Sequence, residues 1–141
     1  MSESEDVVRR FLDEVITDGN ADALPEVMAE DVAWHGGSFG EIRSLDEFTQ
    51  FIGQFLAAFP DLAVTVDDVI AAGEKVVTRL TVRGTHSGEL MGIPPTGRTA
   101  TVTGITILRL ASGKLAELWQ DWDRLGMLQQ LGVIPAPEQR L

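Results

Sequence analysis

Residues 98–123, RTATVTGITILRLASGKLAELWQDWD, decide the fold of this chain. β-Branched and apolar side chains dominate residues 98–110, which is the composition of a β-strand. Ser112-Gly113 reads as a tight turn, and the strand pattern resumes in KLAELWQDWD at residues 114–123. The segment therefore predicts a long β-hairpin.

Two further strands are predicted upstream of this hairpin. LAVTVDDVIAAG at residues 62–73 and KVVTRLTVRGT at residues 75–85 have strand composition and are joined by a turn at Gly73-Glu74. HSGELMGIPPTG, residues 86–97, contains three glycines and a Pro-Pro pair, which predicts the loop that leads into the hairpin.

The first half of the chain reads as helices. Apolar residues recur at helical spacing over residues 3–18, and a short helix is expected after Asp22. A capping box at Ser44–Glu47 predicts a third helix that ends before Pro60, and residues 124–131 form a short last helix. Helices followed by strands indicate an α+β domain, which we place at residues 1–135, with a flexible tail at 136–141.

The last two predicted strands are apolar on both faces. An antiparallel sheet that is covered on one face only should alternate apolar with polar residues. The excess predicts that the outer face is buried too, against a second copy of the chain in a homodimer. The residues concerned are Val102, Ile105, Ile107, Leu108, Leu118, Trp119 and Trp122.

Composition excludes several classes of function. The net charge is −11, with 22 acidic against 11 basic residues, so that a phosphate backbone or an anionic membrane would be repelled. We therefore exclude nucleic acid and membrane as partners. The chain has no cysteine, which rules out disulfides and thiolate metal sites and suits a cytoplasmic location.

Three stretches carry a family resemblance: FPDLAVTVDDVIAAGEKVV from Phe59, GTHSGELMGIPPTGR from Gly84, and GKLAELWQDWDRLGMLQQLG from Gly113. Together they resemble the SnoaL-like polyketide cyclases, within the nuclear-transport-factor-2-like superfamily. The resemblance implies a cone-shaped, curved antiparallel sheet wrapped around three N-terminal helices, with an internal cavity and frequent dimers through the outer sheet face.

The resemblance also implies a chemistry. Such cyclases close a polyketide ring by an intramolecular aldol reaction, with a carboxylate on the last long strand as acid and base and with no metal or organic cofactor. In this chain the carboxylate position is Gln120, and nearby family histidines fall on Leu118 and Thr106. Glutamine donates and accepts hydrogen bonds but does not accept a proton at neutral pH. From the resemblance we expect no cofactor and no metal. Because glutamine stands at the carboxylate position, it is open which residue, if any, acts as acid and base.

The candidate site residues follow from these observations. Asp121, His86 and Gln120 are the catalytic candidates, and Asp121 is either a cavity base or an interface carboxylate. The expected substrate-binding residues, mostly apolar wall positions, are Trp34, His35, Phe51, Phe55, Phe59, Met91, Thr106, Leu118 and Trp122. Asp123 is read as a helix N-cap.

Three functions remain possible from the sequence. The first is cofactor-independent cyclase, isomerase or epoxide-hydrolase chemistry on a polyketide-like substrate. The second is non-catalytic binding or carriage of a small apolar metabolite, favoured by Gln120 at the carboxylate position. The third is a dimeric interaction domain with a collapsed cavity.

Overall fold

The computed structural model describes residues 3–36 and 41–135. The predicted tail at 136–141 lies outside them. The first helix begins with α1 (Glu3–Arg10) and continues as a π-helical segment (Phe11–Thr17), close to the predicted bounds. A 3₁₀ turn (Ala21–Ala23) leads into the short α2 (Leu24–Val27). Helix α3 (Leu45–Ala58) begins as predicted, because the hydroxyl of Ser44 accepts the Glu47 N–H at 3.1 Å.

Within the described residues, five strands form one sheet in the order β1-β5-β4-β3-β2. Their bounds are β1 Met28–His35, β2 Ala63–Ala72, β3 Lys75–Thr85, β4 Thr99–Ala111 and β5 Lys114–Trp122. A last helix, α4 (Arg124–Gln130), follows β5, and the carboxylate of Asp123 caps it by accepting the Gly126 N–H at 2.8 Å. The four predicted strands and the N-cap are confirmed.

Strand β1 was not predicted, and it changes the sheet. It pairs parallel with β5, and Trp34 lies opposite Leu118, so the sheet is mixed rather than wholly antiparallel. Gly36, with φ +79°, ends the strand, and a Cβ there would lie 2.6 Å from the Gln120 carbonyl oxygen. Only glycine allows this close approach of the two backbones.

The core lies between the helices and one face of the sheet. Even-numbered residues of β4 are buried and point inward, and the odd-numbered ones are exposed, except that Arg109 is half-buried. The helices cover this inner face, where buried residues such as Val8, Val15 and Phe48 meet Leu108 and Leu115 from the strands. Register shifts in the pairing of β2 with β3 and of β4 with β5 bend the sheet around the helices. The architecture is the predicted α+β fold. No helix of the described residues is long and apolar enough to cross a membrane.

Candidate ligand-binding cavity

A cavity of about 140 Å³ lies between the helices and the inner sheet face. It is only partly enclosed, and its walls are mostly apolar. The π-helical segment and α3 form one wall, and the inner faces of β1 to β5 form the other. The sequence-predicted residues that line it are Trp34, Phe51, Phe55, Phe59, Thr106, Leu118, Gln120 and Trp122.

Neutral polar side chains cross the sheet wall of this cavity in a single row. Thr78 on β3 pairs with Thr106 on β4, and Thr106 pairs with Gln120 on β5. Residues directly opposite on neighbouring strands have Cβ atoms about 4.5–5.5 Å apart, so the three side chains form a continuous polar band. The hydroxyl of Thr78 and the indole N–H of Trp34 are both buried, and neither has a hydrogen-bond partner among the described residues.

Thr78 was missed by the sequence reasoning. It is fully buried, and it stands between Val76 and Leu80 on the inward-facing positions of β3. The alternation within KVVTRL could have placed it in the interior. The apolar face of the first helix was predicted from its spacing. Three residues of that face, Phe11, Leu12 and Ile16, also line the cavity.

Gln120, not Asp121, faces the cavity. Successive strand residues point to opposite faces, and Gln120 shares the inner face with Leu118 and Trp122. Asp121 is exposed on the outer face, opposite Ile105 of β4. The expectation that Asp121 could act as a base inside the cavity is therefore corrected: its strand position points it away. None of the described residues that line the cavity carries a carboxylate, an imidazole, an amine or a guanidinium group.

His86, the other catalytic candidate, is fully buried outside the cavity wall. Its ring stacks on Phe59 with centroids 5.5 Å apart. The Thr96 backbone N–H donates to its Nδ1 at 3.3 Å, which leaves the proton on Nε2, and Nε2 has no partner among the described residues. The backbone of His86 also bonds Gly97 and Arg98, so the residue closes the base of the loop that the sequence predicted at 86–97.

His35 lies on the outer side of the sheet rather than in the cavity. Its Nε2 is 2.7 Å from Glu117 and its Nδ1 is 3.1 Å from Glu41. The hydrogen bonds to Glu41 and Glu117 raise the pKa of His35. The bond to His35 in turn lowers the pKa of each glutamate. Glu117 lies on β5, 82 residues from His35 in sequence, so no local sequence pattern could predict the ion pair between them.

Met91, a predicted wall residue, is also outside the cavity. Its side chain is 62% exposed, and its backbone has φ 49° in the turn at Leu90–Ile93. Among the described residues, no group of three or more His, Asp or Glu side chains could hold a metal ion.

The comparisons with known proteins agree with this geometry. The family model for SnoaL-like polyketide cyclases matches residues 6–131. The aklanonic acid methyl ester cyclase DnrD of Streptomyces peucetius is 31% identical over 98% of this chain and 97% of its own length.

Solved structures show the same fold. A SnoaL-like polyketide cyclase family protein from Jannaschia sp. CCS1 superposes with a TM-score of 0.85 at 26% identity, covering 94% of each chain. AclR of Streptomyces galilaeus, to which a hydroxylase activity is ascribed, also reaches a TM-score of 0.85, at 27% identity and over 99% of this chain and 87% of its own. The chain therefore belongs to the SnoaL-like polyketide cyclase family.

Proposed function

We propose that this member of the SnoaL-like polyketide cyclase family binds a small, largely apolar molecule that bears a carbonyl group, and that it holds this molecule by neutral hydrogen bonds. The observation that carries the proposal is Gln120, at the end of a polar row inside an otherwise apolar cavity. A glutamine amide can donate to a carbonyl oxygen and accept from a hydroxyl, but it cannot take up a proton.

The polar row supports a ligand with hydrogen-bond acceptors. The buried indole N–H of Trp34 can only donate, and it has no acceptor among the described residues. A buried polar group without a partner costs about 1–3 kcal/mol. A ligand that brings a carbonyl or ester oxygen to this part of the cavity would remove that cost, whereas a pure hydrocarbon would not.

The test compares binding with proton transfer. Acetophenone should quench tryptophan fluorescence saturably, because Trp34 and Trp122 line the cavity. Ethyl benzoylacetate in deuterium oxide should bind without α-proton exchange above the buffer rate. Replacing Gln120→Leu should weaken binding about 2- to 12-fold, the range of one net hydrogen bond. The matched change Asp121→Asn, on the outer face, should leave binding unchanged.

Two results would overturn the proposal. Exchange above the buffer rate that disappears in Asp121→Asn or His86→Ala would identify a side-chain base and acid–base catalysis. Absence of binding by either probe would mean that the cavity does not take this class of molecule.

A second candidate is ring closure by orientation alone, favoured by the 31% identity to an aklanonic acid methyl ester cyclase. A proton between two carbonyls is already acidic, so water can remove it from the α-carbon and return a proton to the oxygen of the attacked carbonyl. A cavity that holds the reacting carbons in contact can thereby accelerate closure without a base of its own. With a linear β-polyketo ester, this candidate predicts a cyclised product at a rate that falls in Gln120→Leu. Unchanged substrate after saturable binding would leave carriage as the function.

We also propose a homodimer through the outer sheet face. Ile105 and Ile107 on β4 are 52% and 37% exposed there, and Trp119 of β5 lies directly opposite Ile107. Apolar side chains in adjacent positions on an exposed sheet favour burial against a second copy. Sedimentation equilibrium should give a dimer that Ile105→Asp converts to a monomer; a wild-type monomer at every concentration would contradict this. The cytoplasmic location stays a prediction of the sequence.

A further inference from the structure

The outer sheet face carries a block of nine side chains on its three central-most strands, β3, β4 and β5. Each row of the block joins register partners on these strands, and all of its residues point away from the helices. The middle row is apolar, whereas each of the two rows beside it has a cation on β3 and a carboxylate on β5. The rows are Lys75–Arg109–Glu117, Val77–Ile107–Trp119 and Arg79–Ile105–Asp121.

This block is the part of the outer face that a facing surface would meet first. The register shifts bend the sheet around the helices, so its outer face is convex, and β4 is the third of its five strands. At one end of the block the charges are accessible. The side chain of Arg79 is 56% exposed, its Nη1 is 4.0 Å from the Oδ2 of Asp67, and Asp121 is exposed as well.

The charge pattern selects one way of facing a second copy. Sheets that pack face to face keep their strands within about 30° of each other, and a two-fold axis in the interface exchanges equivalent positions. An axis across the strands, along the apolar row, would exchange the two charged rows. Lys75 would then face Arg79, and the two carboxylates would face each other. An axis along β4 instead exchanges β3 with β5, so that each Arg79 faces an Asp121 and each Lys75 faces a Glu117.

We infer that two copies of this chain pack about a two-fold axis along β4, and that Asp121 of each copy forms an ion pair with Arg79 of the other. Ile105 and Ile107 lie on this axis, and each packs against its own copy. The arrangement rests on the proposed homodimer, and it adds the symmetry and the polar contacts of the interface. It gives Asp121 the second of the two roles that the sequence left open, that of an interface carboxylate.

Charge reversal tests this arrangement. Arg79→Asp alone sets two carboxylates against each other at two symmetric places, and Asp121→Arg alone does the same with two cations. In sedimentation equilibrium, the homodimer dissociation constant of each variant should rise at least about fivefold relative to the wild type. Mixed at equal concentrations, the two variants should form a heterodimer within about twofold of the wild-type affinity, because both contacts are attractive again. Native mass spectrometry separates this heterodimer from the two homodimers, and only a contact between chains can produce it.

Arg83→Asp is the matched control. It makes the same change of charge at an exposed position on the same face of β3, but its row ends at Thr101, because β5 ends at Trp122. This variant should change the dissociation constant less than about twofold, and mixing it with Asp121→Arg should restore nothing.

Two results would overturn the arrangement and leave the homodimer standing: dimers that either reversal leaves as tight as the wild type, or a mixture that is no tighter than the separate variants. A wild-type chain that stays monomeric at every concentration would contradict the proposed homodimer, and the arrangement with it.

Discussion

Replacing Gln120→Glu converts the cavity amide into an ionisable group of the same shape. The new carboxylate would stand among apolar walls on the inner sheet face, with no cationic side chain among the described cavity residues. Burial in such surroundings disfavours the charged form and raises a carboxyl pKa by up to 3–5 units when burial is complete. Because Gln120 is only half-buried, we expect the pKa of the new carboxyl group to rise by about 1–2 units. At 1.36 kcal/mol per unit, this corresponds to roughly 1.4–2.7 kcal/mol of lost stability at pH 7.

The sign of the pH dependence follows from the direction of that shift. The native variant would bind a proton more tightly than the unfolded chain, so its stability falls as pH rises above the unfolded pKa of about 4.3. At pH 3.5, below the unfolded pKa, the glutamic acid is largely neutral in both states, and the variant should nearly match the wild type. Urea unfolding at pH 3.5 and pH 7 measures both values, with Gln54→Glu on the exposed face of α3 as the matched control. A deficit that is the same at both pH values, or absent at pH 7, would refute the placement of Gln120 in an apolar cavity.

The remaining predictions concern stability at four positions. Gly104→Ala should destabilise by about 1–3 kcal/mol, because its Cβ would lie 2.9 Å from that of Trp122. Gly53→Ala, inside α3 with open space around it, should instead stabilise by about 0.5–1 kcal/mol, and urea unfolding separates the two. Asp123→Ala removes the α4 cap and should cost about 0.5–2 kcal/mol, whereas Asp123→Asn should retain most of it. The ion pairs of His35 with Glu41 and Glu117 should stabilise the fold most between pH 4.5 and pH 6.5. Above this window the histidine loses its proton through its raised pKa, and below it the glutamates gain protons through their lowered pKa values. Melting curves of His35→Gln against wild type should therefore differ most in that window; a constant difference from pH 4 to pH 9 would contradict it.

The sequence predicted most of the fold because its periodicities are strong. The apolar repeat of the first helix, the capping box at Ser44 and the hairpin around Ser112-Gly113 each rest on short-range chemistry that the structure retains. Strand β1 was not predicted, because Glu30 and Asp31 interrupt its apolar–polar alternation. Its register with β5 also shifts between Met28 and Ala33. A parallel partner far along the chain leaves no local signal.

The site was harder to predict for a different reason. Alternation showed that Gln120 and Asp121 face opposite ways, but Trp119 made the outer face of β5 as apolar as the inner one, so the pattern could not say which face was the interior. The pairing of Gln120 with the buried Thr106 shows that the face of β5 that carries Gln120 is the inner one. Likewise, the burial of His86 behind Phe59 and the pairing of His35 with Glu117 depend on tertiary contacts.

The central claim, that a carbonyl-bearing ligand binds inside the cavity, can be tested most directly through the three tryptophans of the chain. Trp34 and Trp122 line the cavity, whereas Trp119 is on the outer sheet face under Lys75. In a ¹⁵N–¹H spectrum of the labelled protein, titration with acetophenone should shift the indole N–H signals of Trp34 and Trp122 and leave that of Trp119 in place. A shift confined to Trp119, or no shift at saturating ligand, would contradict the account.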